Sequence, residues 1–297
     1  MLAHLDALAI DWETLPKGPH RLINYGENGN LLECAPAYIH CVPSANAQDI
    51  WMLRQAAQWH ALHGDTGRAR ELRDKAAALL PAVLGLYKAG DGVWTAYHVD
   101  GKSVELRHCV DFIYAGNALQ TDLTPTQKTE MIGFVKRELF MRDWMRAMSQ
   151  KDAAAARSDR PDHGPMGAYD GWIPLTVGTM WRLGDPRGAY DFYCRTAVVT
   201  GEGPFAQARE FYGPTRDAYP APVRVAKRQG CMKECISGAA FTDVVINTFF
   251  GFSPTVDGKQ VIADPGTHRP FSGTLDGVRY RGRLLRLVTS RGPIKAS

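Results

Sequence analysis

The sequence predicts a mainly α-helical protein built from helical hairpins, with a small antiparallel β element near its C-terminal end. Three observations predict this class. Apolar residues recur at helical spacing through residues 46–63 and again through residues 67–87. A unit of helix, Gly-Asp turn and helix occurs twice in the chain. After Phe252, short runs of β-type residues alternate with Gly, Pro and Asp.

The first predicted hairpin begins at Asn46, which is positioned to cap its first helix. The apolar face of that helix comprises Ile50, Leu53, Ala57 and Ala61. Gly64 ends the helix and Asp65 caps the next one. The apolar face of the second helix comprises Ala69, Leu72, Ala76, Leu79 and Val83. Pro81 interrupts this second helix, and we expect a kink there.

The second hairpin repeats the same pattern. Residues 170–183 form a predicted helix that ends at Gly184, and Asp185 caps the following helix. An alanine follows each Gly-Asp turn at the same spacing, Ala69 in the first hairpin and Ala189 in the second. A small side chain at this position allows two helices to pack closely, so the repeat predicts stacked hairpins.

The other predicted elements complete this outline. Further helices are expected at residues 1–11, 125–141 and 236–250. Strands are expected at Gln260–Ile262, Gly277–Tyr280 and Leu284–Thr289. We therefore predict a helical domain over residues 1–251 and a small β element over residues 252–297. Long predicted loops carry most of the Gly, Pro, aromatic and charged residues, which is typical of functional loops. These loops are residues 12–45, 89–110, 149–169 and 200–235.

The composition excludes several classes of protein. Of 297 residues, 45% are hydrophobic and 22% are charged, which is ordinary globular usage. The net charge is +4 and there is no basic run, so neither a nucleic-acid nor a membrane partner is expected. No apolar stretch is long enough for a transmembrane helix, and the first residues contain acids without a basic leader. A cytoplasmic location is the resulting expectation.

The six cysteines predict buried free thiols rather than a disulfide framework or a metal site. Cys231 and Cys235 form the close pair, but no second pair or His couple stands at ligand spacing. No metal and no cofactor are therefore expected.

Several segments carry a resemblance to a known family. They are VPSANA before the first hairpin, YDGWIPLTVGTMWRLGDPRGAY in the second, EFYGP at residues 210–214 and GFSPTVDG at residues 251–258. Together with the hairpins, they resemble the six-hairpin glycosidases, which include the trehalases and processing α-glucosidases of glycoside hydrolase families 37 and 63. This resemblance implies an (α/α)6 toroid. The chain has fewer predicted helices than a full toroid, so it looks like the C-terminal part of such an enzyme. A second copy or a partner subunit is a candidate to complete the ring.

The resemblance also implies a catalytic base, Glu210, which would activate water in an inverting mechanism. The alternative is that Glu210 is a surface carboxylate after Arg209. The family motif that carries the general acid is not recognisable here. We therefore look for an acid within an apolar segment, because burial raises the pKa of a carboxyl group. Glu33 in NLLECAPAY is the first candidate, and Glu27 in NYGENGN is the second.

Polar and aromatic residues in the long loops are candidates for sugar binding. Arg and Asp side chains form directional hydrogen bonds to hydroxyl groups, and Trp and Tyr rings can stack on a sugar face. The candidates are Tyr25, Arg107, His108, Asp111, Asp143, Trp144, Arg146, Asp162, His163, Tyr169, Asp170, Trp172 and Gln207. Each also has a structural alternative, such as an ion pair for Arg107 or a core position for Trp144.

These residues favour a glycoside hydrolase that cleaves an oligosaccharide or glycoconjugate. One alternative is a polysaccharide lyase, in which Tyr169 or His163 is the base and Arg107 and Arg146 neutralise a uronate. A second alternative is a non-catalytic subunit that binds glycans or completes a partner's toroid. The sequence contains no Gly-x-Ser-x-Gly elbow, P-loop or dinucleotide fingerprint that would indicate another chemistry.

Overall fold

The structure is a computed structural model. It describes residues 2–27, 35, 37–142, 144–157, 163–165, 167–169, 171–200, 210–212, 223–224, 235–255, 258, 260–262 and 269–291. Its helices are α1 (Leu2–Ile10), α2 (Pro43–Leu62), α3 (Thr66–Leu84), α4 (Cys109–Ala118), α5 (Pro125–Phe134), α6 (Trp172–Arg182), α7 (Pro186–Thr200) and α8 (Cys235–Asp243). Its strands are β1 (Tyr87–Lys88), β2 (Val93–Tyr97), β3 (Ser103–Leu106), β4 (Gly167–Tyr169), β5 (Glu210–Tyr212), β6 (Val223–Arg224), β7 (Phe252–Pro254), β8 (Gln260–Ile262), β9 (Gly273–Tyr280) and β10 (Arg283–Thr289).

The helices form two packed layers. In one layer, α2 packs against α4, α4 against α6, and α6 against α8. In the other, α1 and α3 pack on α2, and α7 packs on α6. Most residues of α4 are buried, whereas α3 buries a single stripe of apolar residues against its neighbour. The predicted mainly α class with small antiparallel sheets is confirmed.

The two Gly-Asp turns have the same construction. Gly64 and Gly184 adopt φ values of 81° and 113°, which glycine tolerates because it has no Cβ. Asp65 accepts a hydrogen bond of 3.0 Å from the backbone N–H of Arg68, and Asp185 caps α7 in the same way. The alanine that follows each turn is fully buried. The predicted repeat of the hairpin turn is therefore confirmed.

The start of α2 differs from the prediction. The helix begins at Pro43, which is favoured in a first turn because its missing N–H needs no partner there. Asn46 lies inside the helix instead of capping it. Its side chain accepts the backbone N–H of Ile23 at 2.8 Å and donates to the carbonyl of Val42 at 2.9 Å. The side chain thus ties α2 to the preceding segment, a tertiary role that local sequence does not reveal.

Two small sheets occupy regions that were expected to be loops. The first has the order β1-β2-β3 and is antiparallel throughout. Its strands are short and divided by glycine turns, so they carry little periodic signal. The second has the order β4-β5-β6 and joins strands that are far apart in sequence. Such pairing cannot be derived from local periodicity.

Several predicted elements recur with shifted ends. The helices expected at 125–141 and 236–250 are α5 and α8, each continued by a π-helical turn. α3 runs through Pro81 and ends at Leu84. The β9–β10 hairpin contains the two expected strands but is longer than predicted, and Leu287 on β10 belongs to the main core. The division into domains at residue 251 stays a prediction.

No helix among the described residues combines the length and apolar character that crossing a bilayer requires. Among the described residues, Cys41, Cys109 and Cys194 are free thiols. Cys41 and Cys109 are buried as expected, whereas Cys194 on α7 is exposed, contrary to the expectation of buried thiols. Cys231 lies outside the described residues.

The turn between β1 and β2 offers a test of this packing. Gly92 has φ of 74°, and a Cβ there would overlap the backbone carbonyl of Glu130 in α5. Gly90 has φ of 88° with open space around it. We expect Gly92→Ala to lower the free energy of unfolding by about 2–5 kcal/mol, from strain plus overpacking. The control Gly90→Ala should lower the free energy of unfolding by only about 1–2 kcal/mol, because it adds backbone strain without overpacking. Urea unfolding measures both, and equal losses would contradict the described packing.

Candidate functional site

The candidate site lies where the N-terminal ends of α2, α4 and α6 meet. Ser44 is in the first turn of α2, Asp111 is in the first turn of α4, and Trp172 opens α6. Side chains from the preceding loops converge on these three residues. We call the whole set the aromatic–carboxyl cluster, and its members are Tyr38, Ser44, His108, Asp111, His163, Tyr169 and Trp172.

A buried tyrosine and a buried carboxyl group form the centre of the cluster. The Tyr38 hydroxyl donates to Oδ1 of Asp111 at 2.6 Å and also makes a short hydrogen bond with the Ser44 hydroxyl. Both Tyr38 and Asp111 are 1% exposed. Burial raises the pKa of Asp111 to about 8, although the bonds from Tyr38 and Ser44 favour its charged form. Among the described residues, Oδ2 of Asp111 has no hydrogen-bond partner.

His108 is held as a neutral imidazole. Its Nδ1 faces the backbone N–H of Val110 at 3.1 Å and must accept, and its Nε2 faces the carbonyl of His163 at 3.2 Å and must donate. Burial lowers the pKa of His108 to about 3. Since both nitrogens are engaged, His108 links the start of α4 to the loop that carries His163.

Trp172 is the aromatic centre of the cluster. Its ring lies 5.2 Å from that of His108, 4.8 Å from that of His163 and 5.9 Å from that of Tyr169, measured between centroids. All three contacts are edge-to-face, an arrangement that stabilises aromatic pairs by about 0.5–1.5 kcal/mol. His163 and Tyr169 are half-buried, so the cluster presents an aromatic and polar face toward the loops.

Backbone hydrogen bonds align the segments that carry these side chains. The N–H of Cys109 donates to the carbonyl of Ala147 at 2.8 Å, and the N–H of Ala147 donates to the carbonyl of Gly167 at 2.6 Å. Residues 147–148 therefore lie between the start of α4 and strand β4. In the β4–β5 pair, Tyr169 is directly opposite Glu210. The backbone of Glu210 thus lies next to a member of the cluster.

Five of the residues singled out in the sequence come together in the cluster. They are His108, Asp111, His163, Tyr169 and Trp172. Tyr38 and Ser44 were missed. Tyr38 sits in a long predicted loop, and nothing in its neighbours in sequence marks a contact with a helix that begins far along the chain.

Arg107 lies beside the cluster in sequence, but its guanidinium points into an ion-pair network. Its Nη1 donates to both carboxylate oxygens of Glu138, at 2.8 and 3.0 Å. It also pairs with Glu105 and lies 3.3 Å from Asp91. These contacts correspond to the structural alternative, and a role in substrate binding stays a prediction.

The remaining candidates lie elsewhere or outside the described residues. Trp144 is buried, and Arg146 is half-buried on the same segment. Tyr25 donates to Asp49 of α2 at 2.6 Å, more than one helical turn beyond Ser44, and Glu27 is exposed. Glu33, Asp143, Asp162, Asp170 and Gln207 lie outside the described residues. The functional roles predicted for all of these residues stay predictions.

The part of the chain that the structure describes contains no group of three or more His, Cys, Asp or Glu side chains placed to hold a metal ion. The cluster itself offers carboxyl, phenol and imidazole groups.

Comparison with known proteins adds a likeness of fold. The architecture is that of a layered array of helical hairpins. A solved structure named as a sialidase matches it with a TM-score of 0.74 and 14% sequence identity, over 97% of this chain and 27% of that chain. The protein thus spans about a quarter of the length of that neighbour. No protein-family model and no curated protein matches the sequence.

The Arg107 network predicts a large stability effect. Arg107→Met would leave the buried Glu138 carboxylate without its main partner, so we expect the free energy of unfolding to fall by about 3–5 kcal/mol. Arg70→Met, the same change at an exposed position of α3, should cost less than about 0.5 kcal/mol. Chemical unfolding measures the difference. Similar small losses in both variants would mean that the Arg107 pairs are not formed.

The raised pKa of Asp111 predicts a pH-dependent stability. The folded protein holds the proton up to about pH 8, whereas an unfolded chain releases it near pH 4. Unfolding therefore releases this proton in between, so the contribution of Asp111 to the free energy of unfolding falls as pH rises. Asp49, whose pKa burial raises to about 7, adds to the same slope. Neutral His108, with its lowered pKa, contributes the opposite slope below about pH 6.5.

Asp111→Asn keeps an acceptor for Tyr38 but removes this titration. We expect its slope between pH 5 and pH 7 to be less negative by up to about 1.4 kcal/mol per pH unit. Urea unfolding at a series of pH values measures the slope. The control Asp74→Asn, at an exposed position of α3, should keep the parent slope. An unchanged slope in Asp111→Asn would refute the protonated carboxyl.

Proposed function

We propose that the protein is a glycoside hydrolase that acts on an oligosaccharide or a glycoconjugate. The aromatic–carboxyl cluster is the observation that carries this proposal. It combines half-buried His163 and Tyr169, packed on Trp172, with a buried carboxyl group at the shared end of three helices. Aromatic faces beside hydrogen-bonding groups suit the alternating apolar and hydroxyl surfaces of a sugar. The name of the structural neighbour, a sialidase, supports a glycan-related activity.

We propose further that the helices belong to an (α/α)6 toroid. In that arrangement α2, α4, α6 and α8 would form the inner ring, and α1, α3 and α7 would belong to the outer ring. The order of contacts along the inner layer supports this assignment. A second copy of the chain or another polypeptide would supply the other hairpins of the ring. The cluster would then line one mouth of the ring, where the loops gather.

In the proposed mechanism Glu210 is the base that activates water. Its position opposite Tyr169 in the β4–β5 pair supports this role. Glu33 and Glu27 remain the candidates for the acid that protonates the leaving oxygen. An inverting reaction requires the two carboxyl groups to be about 6.5–9.5 Å apart, which leaves room for the water.

Asp111 and His108 would have supporting roles. A sugar hydroxyl would give Oδ2 of Asp111 the hydrogen bond that no described residue supplies, and buried polar atoms normally have such a bond. His108 would keep its neutral form and hold the loop of His163 in place. Tyr38, hydrogen-bonded to Asp111 and Ser44, would hold the Asp111 carboxyl group in position.

A polysaccharide lyase is the second candidate. The juxtaposition of His163 and Tyr169 on Trp172 favours it, because a lyase needs an imidazole or phenol as base. The ion pairs of Arg107 count against it, since they occupy a guanidinium that would neutralise the uronate. A product with a new absorbing double bond would identify a lyase.

The test is sugar release from α- and β-linked oligosaccharides, with sialylated ones included, by the parent and by Glu210→Gln. We expect the parent to release sugar and the variant to lose at least about a hundredfold in rate, the scale of a general base. The control Glu71→Gln changes a carboxylate on α3 and should retain full activity. Unchanged release by Glu210→Gln would eliminate that residue. Release by neither protein from any sugar would favour the lyase or a non-catalytic glycan-binding subunit.

A further inference from the structure

A cavity lies apart from the aromatic–carboxyl cluster. It is a cleft of about 380 Å³ between α3 and the segment of residues 12–23. None of its lining residues belongs to the cluster. The side chains that matter for its chemistry are Trp12, Glu13, Lys17, His20, Arg21 and Lys75, and we call this site the basic cleft.

The charges around the basic cleft are predominantly positive. Lys75 is paired with Glu13 at 2.7 Å, so these two charges offset one another. Lys17 donates to the backbone carbonyl of Glu13, and its charge also acts on the carboxyl group of Asp49. The backbone N–H of Arg21 donates to the carbonyl of Gly18 at 3.2 Å. Its exposed guanidinium forms no hydrogen bond or ion pair with any residue that the structure describes. An anionic group entering the cleft would therefore meet the guanidinium of Arg21, with the ammonium group of Lys17 on the same lining.

The backbone at His20 and Arg21 is strained. His20 and Arg21 have φ values of 56° and 64°, in the left-handed region that costs residues other than glycine about 1–3 kcal/mol each. The conformation is held by a hydrogen bond of 2.8 Å from the N–H of Gly18 to the carbonyl of Leu22. Gly18 in turn packs so closely on Cys41 that a Cβ would overlap its sulfur. The fold thus retains a costly conformation at the residues that line the cleft.

An aromatic ring and an apolar wall complete the site. The indole N–H of Trp12 donates to the carbonyl of Ala9 at 2.6 Å, which fixes the orientation of the ring. The ammonium group of Lys17 lies 5.3 Å from the centre of that ring. Leu79 and Ala82 of α3 add apolar surface. A ligand that fits must therefore combine an apolar face with a negative charge.

We propose that the basic cleft binds an acidic saccharide unit, with its carboxylate at Arg21 and Lys17 and its ring against Trp12. The volume falls within the range of small-molecule sites, about 300–1,000 Å³. The negative charge of the ligand follows from the cleft itself, and the choice of a saccharide rests on the proposed function. The site would hold an acidic glycan outside the catalytic centre.

Calorimetric titration with digalacturonate tests the proposal, and its uncharged dimethyl ester is the matched ligand. We expect the parent to bind the acid at least about tenfold more tightly than the ester, because hydrogen bonds to charged groups are the stronger ones. Arg21→Gln should weaken binding of the acid at least about tenfold and leave binding of the ester unchanged. Arg70→Gln, at an exposed position outside the cleft, should bind like the parent.

A second variant separates binding from folding. Arg21→Gly removes the cation and relieves the positive φ, so it should melt no lower than the parent while losing the preference for the acid. Absence of digalacturonate binding by the parent, or equal binding by parent and Arg21→Gln, would overturn the proposal. Binding is measured without turnover, so a failure here is distinct from a failure of the proposed hydrolase activity.

Discussion

The hydrogen bond between the Tyr38 hydroxyl and Asp111 is the interaction on which the site depends. It joins the loop before α2 to the first turn of α4, and the Ser44 hydroxyl attaches the start of α2 to the same point. A carboxyl group with almost no exposure is costly unless it is neutral or hydrogen-bonded, and here burial favours the protonated form. The hydrogen bonds that this carboxyl group requires therefore help to position the first turn of α4 against the start of α2. His108 and Trp172 extend the arrangement to α6.

Adjacent residues before α4 serve two different networks. The backbone is extended at His108, so successive side chains point in opposite directions. Arg107 consequently enters the ion pairs with Glu138, whereas His108 enters the aromatic–carboxyl cluster. The ion pairs hold β3, which leads into α4. They therefore also hold the start of α4, where His108 and Asp111 of the cluster lie. The Arg107–Glu138 ion-pair network thus lies next to the aromatic–carboxyl cluster along the chain.

The two proposed sites differ in the backbone conformation of the residues that form them. The aromatic–carboxyl cluster lies at helix ends, and none of its members has a backbone φ in the left-handed region. The basic cleft is formed by a short segment whose backbone at His20 and Arg21 is held in an unfavourable region. Such strain persists when surrounding hydrogen bonds over-determine a conformation. The first site is therefore expected to tolerate conservative changes in its loops, and the second to depend on the bonds around Gly18.

Local sequence patterns account for the helical hairpins, their Gly-Asp turns and the strands after Phe252, because these depend on periodicity and on local backbone preferences. The sequence also marked five members of the cluster, since polar and aromatic residues stand out in glycine-rich loops. Three contacts become visible in the three-dimensional structure: Tyr38 with Asp111, Arg107 with Glu138, and strand β4 with strand β5. These contacts join residues far apart in the chain, so their energies depend on packing that no local pattern encodes.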